Sequence, residues 1–147
     1  MARLSYESVD EMKNFSVVWK ASAKAAKQRK YRANAPLHLK GKMIVAPLTN
    51  DLAAKYSVKR IRLREGDTVR IVRGEFSGIS GKVNAIVPRQ GIAYVDGAER
   101  IRKDGTKAFF PLRPSSLLVV EMNLEDKQRA ASLATYAEKA AHGRGKI

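Results

Sequence analysis

The chain of 147 residues contains no cysteine, which excludes disulfides, thiolate metal sites and cysteine nucleophiles together. Histidine is nearly as scarce, with two in all, at His38 and His142. Long apolar runs are missing as well. The longest aliphatic stretch, Leu117 to Val120, falls far short of the roughly 20 residues that cross a bilayer. Residues Met1 to Lys20 include Glu7, Asp10 and Glu11 and hold no apolar core, so they do not read as a secretory signal. The sequon Asn14-Phe15-Ser16 is then read as chance, and a cytoplasmic location without membrane insertion is expected. Acid is in short supply too: 14 Asp and Glu face 29 Lys and Arg, a formal net charge of +15. Such an excess opposes a compact state by self-repulsion, and a phosphate backbone relieves it while releasing counterions. The charge therefore points to nucleic acid.

The excess is concentrated. No acidic residue stands between Glu11 and Asp51, while Lys13, Lys20, Lys24, Lys27, Arg29, Lys30, Arg32, Lys40 and Lys42 all fall inside. A one-sign stretch of this kind resembles a nucleic-acid-binding arm. Ser16 to Lys30, rich in Ala and Lys without Gly or Pro, predicts a helix. Asn34-Ala35-Pro36 stops it, because the residue before proline is pushed from the α region. From there to Pro47 an extended run is expected, ordered against a partner. Thr49-Asn50-Asp51 predicts the cap of a short helix through about Tyr56.

From Ile61 the pattern changes to period two with frequent glycine. Thr68 to Arg73 predicts a strand with Val69 and Ile71 on one side and Arg70 on the other. Lys82 to Val87 and Ile92 to Val95 predict two more. Lys103-Asp104-Gly105-Thr106 favours a tight two-residue hairpin joining Ile101-Arg102 to Ala108-Phe109-Phe110. One of Phe109 and Phe110 should then face the core and the other outward. Pro114-Ser115-Ser116 reads as a turn before a last strand, Leu117 to Met122. Roughly five short strands in about 60 residues suggest a small, partly open barrel. Asn123 is expected to cap an Ala-rich helix with Glu125 and Asp126 in its first turn, ended by Gly143. With only Leu124, Leu133 and Tyr136 as large anchors, that helix reads as weakly docked. The fold class is thus mainly β, with a basic N-terminal arm over 1–60, a barrel over 61–122 and a helical tail over 123–147.

The turn Arg73-Gly74-Glu75-Phe76-Ser77-Gly78-Ile79-Ser80-Gly81-Lys82-Val83 has two readings. Glycines at positive φ close a hairpin; a glycine-lined backbone also admits a sugar-phosphate chain, with Arg73 and Lys82 at its rim. A P-loop is excluded, since Gly74 and Gly81 are too far apart and Val83 stands where Ser or Thr would bind magnesium. Arg60, Arg62 and Arg64, with Lys59 beside them, alternate with Ile61 and Leu63. They form either a solvated edge or a phosphate-contacting row. Trp19, between valines and lysine, is expected to pack. No Ser/His/Asp set or carboxylate pair emerges, and Glu75 and Glu99 have no visible apolar pocket. No enzyme, cofactor, metal or small-molecule substrate is expected, and His38 reads as a stacking or hydrogen-bonding arm residue.

Glu65-Gly66-Asp67-Thr68-Val69 through Gly74, Gly78 and Gly81-Lys82-Val83 resembles the KOW motif of ribosomal proteins and transcription elongation factors. Upstream, Gln28-Arg29-Lys30, Asn34-Ala35-Pro36-Leu37-His38, Lys42-Met43, Ala46-Pro47-Leu48 and Lys55-Tyr56 resemble the universal large-subunit ribosomal protein twenty-four family, archaeal and eukaryotic type. Asp104-Gly105, Pro114-Ser115 and Leu124 fall in step with it, so the resemblance spans about residues 28 to 125. It implies an SH3-like barrel in the large ribosomal subunit, near the polypeptide exit and active early in assembly. Its partners would be ribosomal RNA and neighbouring large-subunit proteins. It would put Arg29, Lys30, Arg32, His38, Lys42, Arg73 and Lys82 on RNA. Charge and position add Lys24, Lys27, Lys40, Lys59, Arg60, Arg62, Arg64, Gly74 and Gly78. Residues 1–20 and 127–147 have no role in the resemblance, and contact with neighbouring proteins is expected of them. A KOW-type elongation module is the alternative; an SH3-type peptide binder and a nucleoid DNA binder are more distant ones.

Overall fold

A computed structural model describes residues 15–143, with side chains described as far as Glu138. The expectations for Lys13, for His142 and for the outer parts of segments 1–20 and 127–147 lie outside these limits. The chain divides into two compact units after Lys42. Among the described residues no helix is long and apolar enough to cross a membrane.

In the first unit a 3₁₀ turn, Val17–Ala21, precedes α1, Ala25–Asn34, and α2, Leu37–Met43, follows. The single helix expected over Ser16 to Lys30 is therefore broken. The Gln28 side-chain amide explains the break, donating to the carbonyls of Ser22 at 2.7 Å and Lys20 at 2.9 Å. Those carbonyls are held by a side chain, and the backbone between the two helical pieces stays extended at Ser22 and Lys24. Asn34 ends α1, and Ala35 adopts the extended ψ of 137° that proline demands of its predecessor. The extended run expected after Pro36 is instead a helix. The Pro36 carbonyl accepts from the N–H groups of Leu39 and Lys40, both at 3.0 Å, so the proline that stops one helix starts the next. Trp19 is half-buried, while Val17 and Val18 are exposed. Tyr31 is buried, its ring 5.3 Å from that of Phe15.

The second unit is mainly antiparallel sheet. It holds β1 (Val45–Pro47), α3 (Asn50–Tyr56), β2 (Arg60–Arg62), β3 (Thr68–Ile71), β4 (Ser80–Val87), β5 (Ile92–Val95), β6 (Glu99–Ile101), β7 (Lys107–Phe109), β8 (Leu117–Glu121) and α4 (Lys127–Gly143). A four-stranded sheet runs in the order β5-β4-β3-β8, with β1-β2 and β6-β7 as two further pairs. Bridges from Leu48 to Val119 and from Ala93 to Leu112 stitch these pairs onto the sheet. The result is a small barrel-like wrap. Its interior is filled by alternate residues, among them Ala46, Val69, Val95, Leu117 and Val119, all fully buried. Each fully buried aliphatic side chain contributes roughly 1.5–3 kcal/mol, so the inner faces of the strands carry most of the hydrophobic stability. Ile44, Ala46 and Leu48 belong to this core. The compact unit thus starts at Met43, ahead of residue 61, where the period-two pattern begins. Phe110 packs against the core with Phe76 at 5.1 Å, and Phe109 points outward.

Two local expectations change. The Asp104-Gly105 hairpin has a three-residue loop: Arg102 N–H donates to Thr106 O at 2.8 Å and Gly105 N–H to Arg102 O at 3.0 Å, with Gly105 at φ +81°. Asp104 favours this longer loop by accepting from the hydroxyl and N–H of Thr106, contacts that hold its carboxyl below the usual range. The last helix is capped by Asp126, not Asn123. Asp126 Oδ1 accepts from Gln128 N–H at 2.8 Å, whereas Asn123 Oδ1 accepts from Glu125 N–H in a turn before the helix.

Nor is α4 held mainly by apolar anchors. Leu133 is buried, but Leu124 and Tyr136 are exposed. The main anchor is Arg129, whose Nη1 and Nη2 donate to the two carboxylate oxygens of Asp67 at 2.6 and 2.9 Å. Asp67 is fully buried and also accepts from Arg64 N–H and Asn123 N–H, each at 2.9 Å. Arg129 donates further to the carbonyls of Asn123 and Arg62. Arg129→Met would leave the Asp67 carboxylate buried without its cation, at an expected cost of about 3–5 kcal/mol, read as a lower urea midpoint. Pairing it with Asp67→Leu removes the charge problem but orphans the N–H groups of Arg64 and Asn123. The double variant should therefore stay below wild type; full recovery would mean that the ion pair alone matters.

Candidate nucleic-acid interface

The candidate cations lie in both units. In the first, α1 presents Lys27, Arg29, Lys30 and Arg32 exposed, with Lys24 exposed at its N-cap. On α2, His38 and Lys42 are exposed and four residues apart, hence on one face, and Lys40 is half-buried. Neither helix contains an acidic residue, so their charge has no neutralising partner along its own helix. His38 belongs to no metal-binding cluster among the described residues.

In the second unit Lys59, Arg60, Arg62 and Arg64 are exposed along and beside β2. Arg64 is ion-paired with Asp126. The helix-cap bond from Gln128 N–H holds the Asp126 carboxyl below its usual range, and Arg64 adds to the effect. Arg73, Gly74 and Gly78 lie in the exposed turn between β3 and β4. Lys82 does not share that rim. It stands opposite Thr68, while Arg70 is opposite Ser80, so Lys82 is at the far end of the pairing from the turn. What the register does bring together is Lys82 and Arg70, on one outward face. The alternation that turns Val69 and Ile71 inward also turns Arg70 outward, and that signal alone could have added it to the candidates. Other exposed cations outside the candidate set include Lys55, Arg89, Arg102, Lys103, Arg113 and Lys127. Arg100 and Lys107 are committed to Glu75 and Glu99.

The glycines separate into two kinds. Gly74 and Gly78 have φ of +103° and +95° and open space where a Cβ would stand, so they serve turn geometry and leave the backbone approachable. Gly81 is inside the sheet, where a Cβ would run into the Asp96 carbonyl. Its need is internal.

A family model that describes the eukaryotic ribosomal proteins L26 and their archaeal counterparts matches residues 22–135, which span both units. The chain belongs to this family. Among its relatives are proteins named large ribosomal subunit protein uL24. One, from Methanospirillum hungatei, is 39% identical over 113 residues, covering 77% of this chain and 94% of the relative. Another, from Saccharolobus solfataricus, is 38% identical over 112 residues, covering 76% and 94%. The family is one of structural ribosomal proteins and not of enzymes, which removes the ground for the elongation-module alternative.

Alanine at the glycines should distinguish the two kinds. Gly74→Ala and Gly78→Ala keep the fold and lose about 1–3 kcal/mol through backbone strain. Gly81→Ala must displace the β5 end and should lower the melting temperature considerably more. Equal melting temperatures for all three variants would contradict this assignment.

Proposed function

We propose that this protein is a structural constituent of the large ribosomal subunit that binds ribosomal RNA through the acid-free helices of its first unit and the outward cations of its barrel. It helps organise assembly of the subunit near the polypeptide exit. The observation that carries the RNA part is the run of exposed Lys24, Lys27, Arg29, Lys30, Arg32 and Lys42 on helices without a single acid. Such helices gain from phosphates what they cannot gain from each other. Family membership supports the ribosomal setting, and the resemblance of the arm and KOW segments supports the position by the exit and the early role. The contacts proposed are Lys24, Lys27, Arg29, Lys30, Arg32, His38, Lys40 and Lys42 in the first unit. In the second they are Lys59, Arg60, Arg62, Arg64, Arg73, Gly74, Gly78 and Lys82. Arginines fork onto phosphate oxygens, lysines supply mobile point charge, and backbone and groove shape are read more than base sequence.

Sedimentation of a tagged copy from its own cells through a high-salt sucrose gradient tests the setting. Stoichiometric migration with the large subunit is expected, with crosslinks from residues 1–20 and 127–147 to neighbouring proteins. Migration with RNA polymerase, with DNA or at the top of the gradient would reject it. The arm is tested separately. Arg29→Ala, Lys30→Ala and Arg32→Ala together should flatten the salt dependence of RNA affinity, lowering its logarithmic slope by roughly 2–3. An unchanged slope would remove the arm from the interface.

A further inference from the structure

A cleft of about 530 Å³ opens between β2 and α4, well within the roughly 300–1,000 Å³ of ordinary ligand sites. Among the described residues its lining includes several arginines and no carboxylate. Two of these arginines are occupied in holding the walls together: Arg129 on Asp67 and Arg64 on Asp126. Arg60 and Arg62 remain exposed at the β2 side. The helix side carries Gln128, Ser132 and Tyr136, spaced by four and so stacked in one stripe, with Leu133 and Ile61 toward the floor. Tyr136 keeps 55% of its surface exposed.

We propose that this cleft holds one unpaired nucleotide of the bound RNA, its phosphate on Arg60 and Arg62 and its base against the Tyr136 ring. The inference rests on the RNA-binding reading above and adds a site to it. Guanidinium forks match phosphate oxygens. A half-exposed aromatic ring beside them offers the flat face on which an unstacked base rests. The Gln128 amide supplies both a donor and an acceptor, as a base edge requires. An acidic protein segment would use the arginines but gain little from the ring or from an amide acceptor. A paired base is already stacked and cannot enter, so the cleft selects looped or bulged RNA. Tyr136 lies one residue past the end of the span matched by the family model. The ring is thus contributed by a part of the helix that the family pattern does not describe.

The test uses the full chain and three RNA probes, read by fluorescence anisotropy at fixed salt: a short single strand, the same strand without bases, and a duplex of the same sequence. Tyr136→Leu is expected to weaken single-strand binding about tenfold and leave the other two probes unchanged. Tyr136→Trp should restore the loss. The pair Arg60→Gln and Arg62→Gln should weaken the intact and the base-free strand alike. Equal effects of Tyr136→Leu on all three probes, or none on the single strand, would overturn the proposal. So would competition by polyglutamate that depends on Arg62 and ignores Tyr136, which would identify an acidic protein segment as the occupant. Wild-type protein that binds none of the probes would overturn the RNA-binding reading itself. Normal wild-type binding with a silent Tyr136 would overturn the cleft alone.

Discussion

A carboxylate taken out of water is tolerated only when donors surround it, and Asp67 meets that condition with every partner drawn from a different part of the second unit. The N–H of Arg64 comes from the approach to β3, that of Asn123 from the segment after β8, and the guanidinium of Arg129 from α4. Because the arginine arrives with both nitrogens, it fixes the rotation of the helix as well as its distance. Among the described side chains of the helix, Leu133 is the buried apolar one and Tyr136 is exposed. Remove the hub, and the turn before β3, the exit from β8 and the helix lose their common point of reference.

Several acidic residues in the second unit tie down neighbouring cations. Asp67, Glu75, Glu99 and Asp126 each face an Arg or a Lys. The helices of the first unit have none. The same net charge is therefore divided between a body that partly neutralises itself and a segment that does not. A polyanion would feel the second far more than the first. Surface pairs of this kind add little to stability; here their effect is on where the uncompensated field remains.

Strands with a clean alternation are legible in the sequence because burial acts on every second residue: Ile92 to Val95 appears where the pattern puts it, and the strand expected over Thr68 to Arg73 starts at Thr68 and ends at Ile71. The N-terminal stop at Asn34 is legible through proline chemistry, and the short helix to Tyr56 forms where expected although its N-cap residue, Thr49, makes no side-chain cap bond. β1 is not, since Val45-Ala46-Pro47 is too short to show a period and takes its partner, β2, from beyond α3. α2 is hidden because Pro36 can end one helix and begin another. Arg129 is hidden for a different reason. A lone arginine in an Ala-rich helix looks solvated, and only the fold reveals that a buried aspartate of the KOW segment waits for it. Of the candidate contacts, those on α1 and β2 follow from charge and spacing. The rim expected of Arg73 and Lys82 is undone by the register of β3 and β4, which seats Lys82 beside Arg70.

Asp67 and Arg129 are 62 residues apart, and β3 to β8 all lie between them. On a chain made from its N-terminus, the aspartate emerges long before the arginine does. Until then the carboxylate can stay hydrated only if the mouth of the sheet stays open, because closing it would strand the charge. The helix thus acts as a timing element. The hub gains its cation only after every strand described between the two residues has been synthesised.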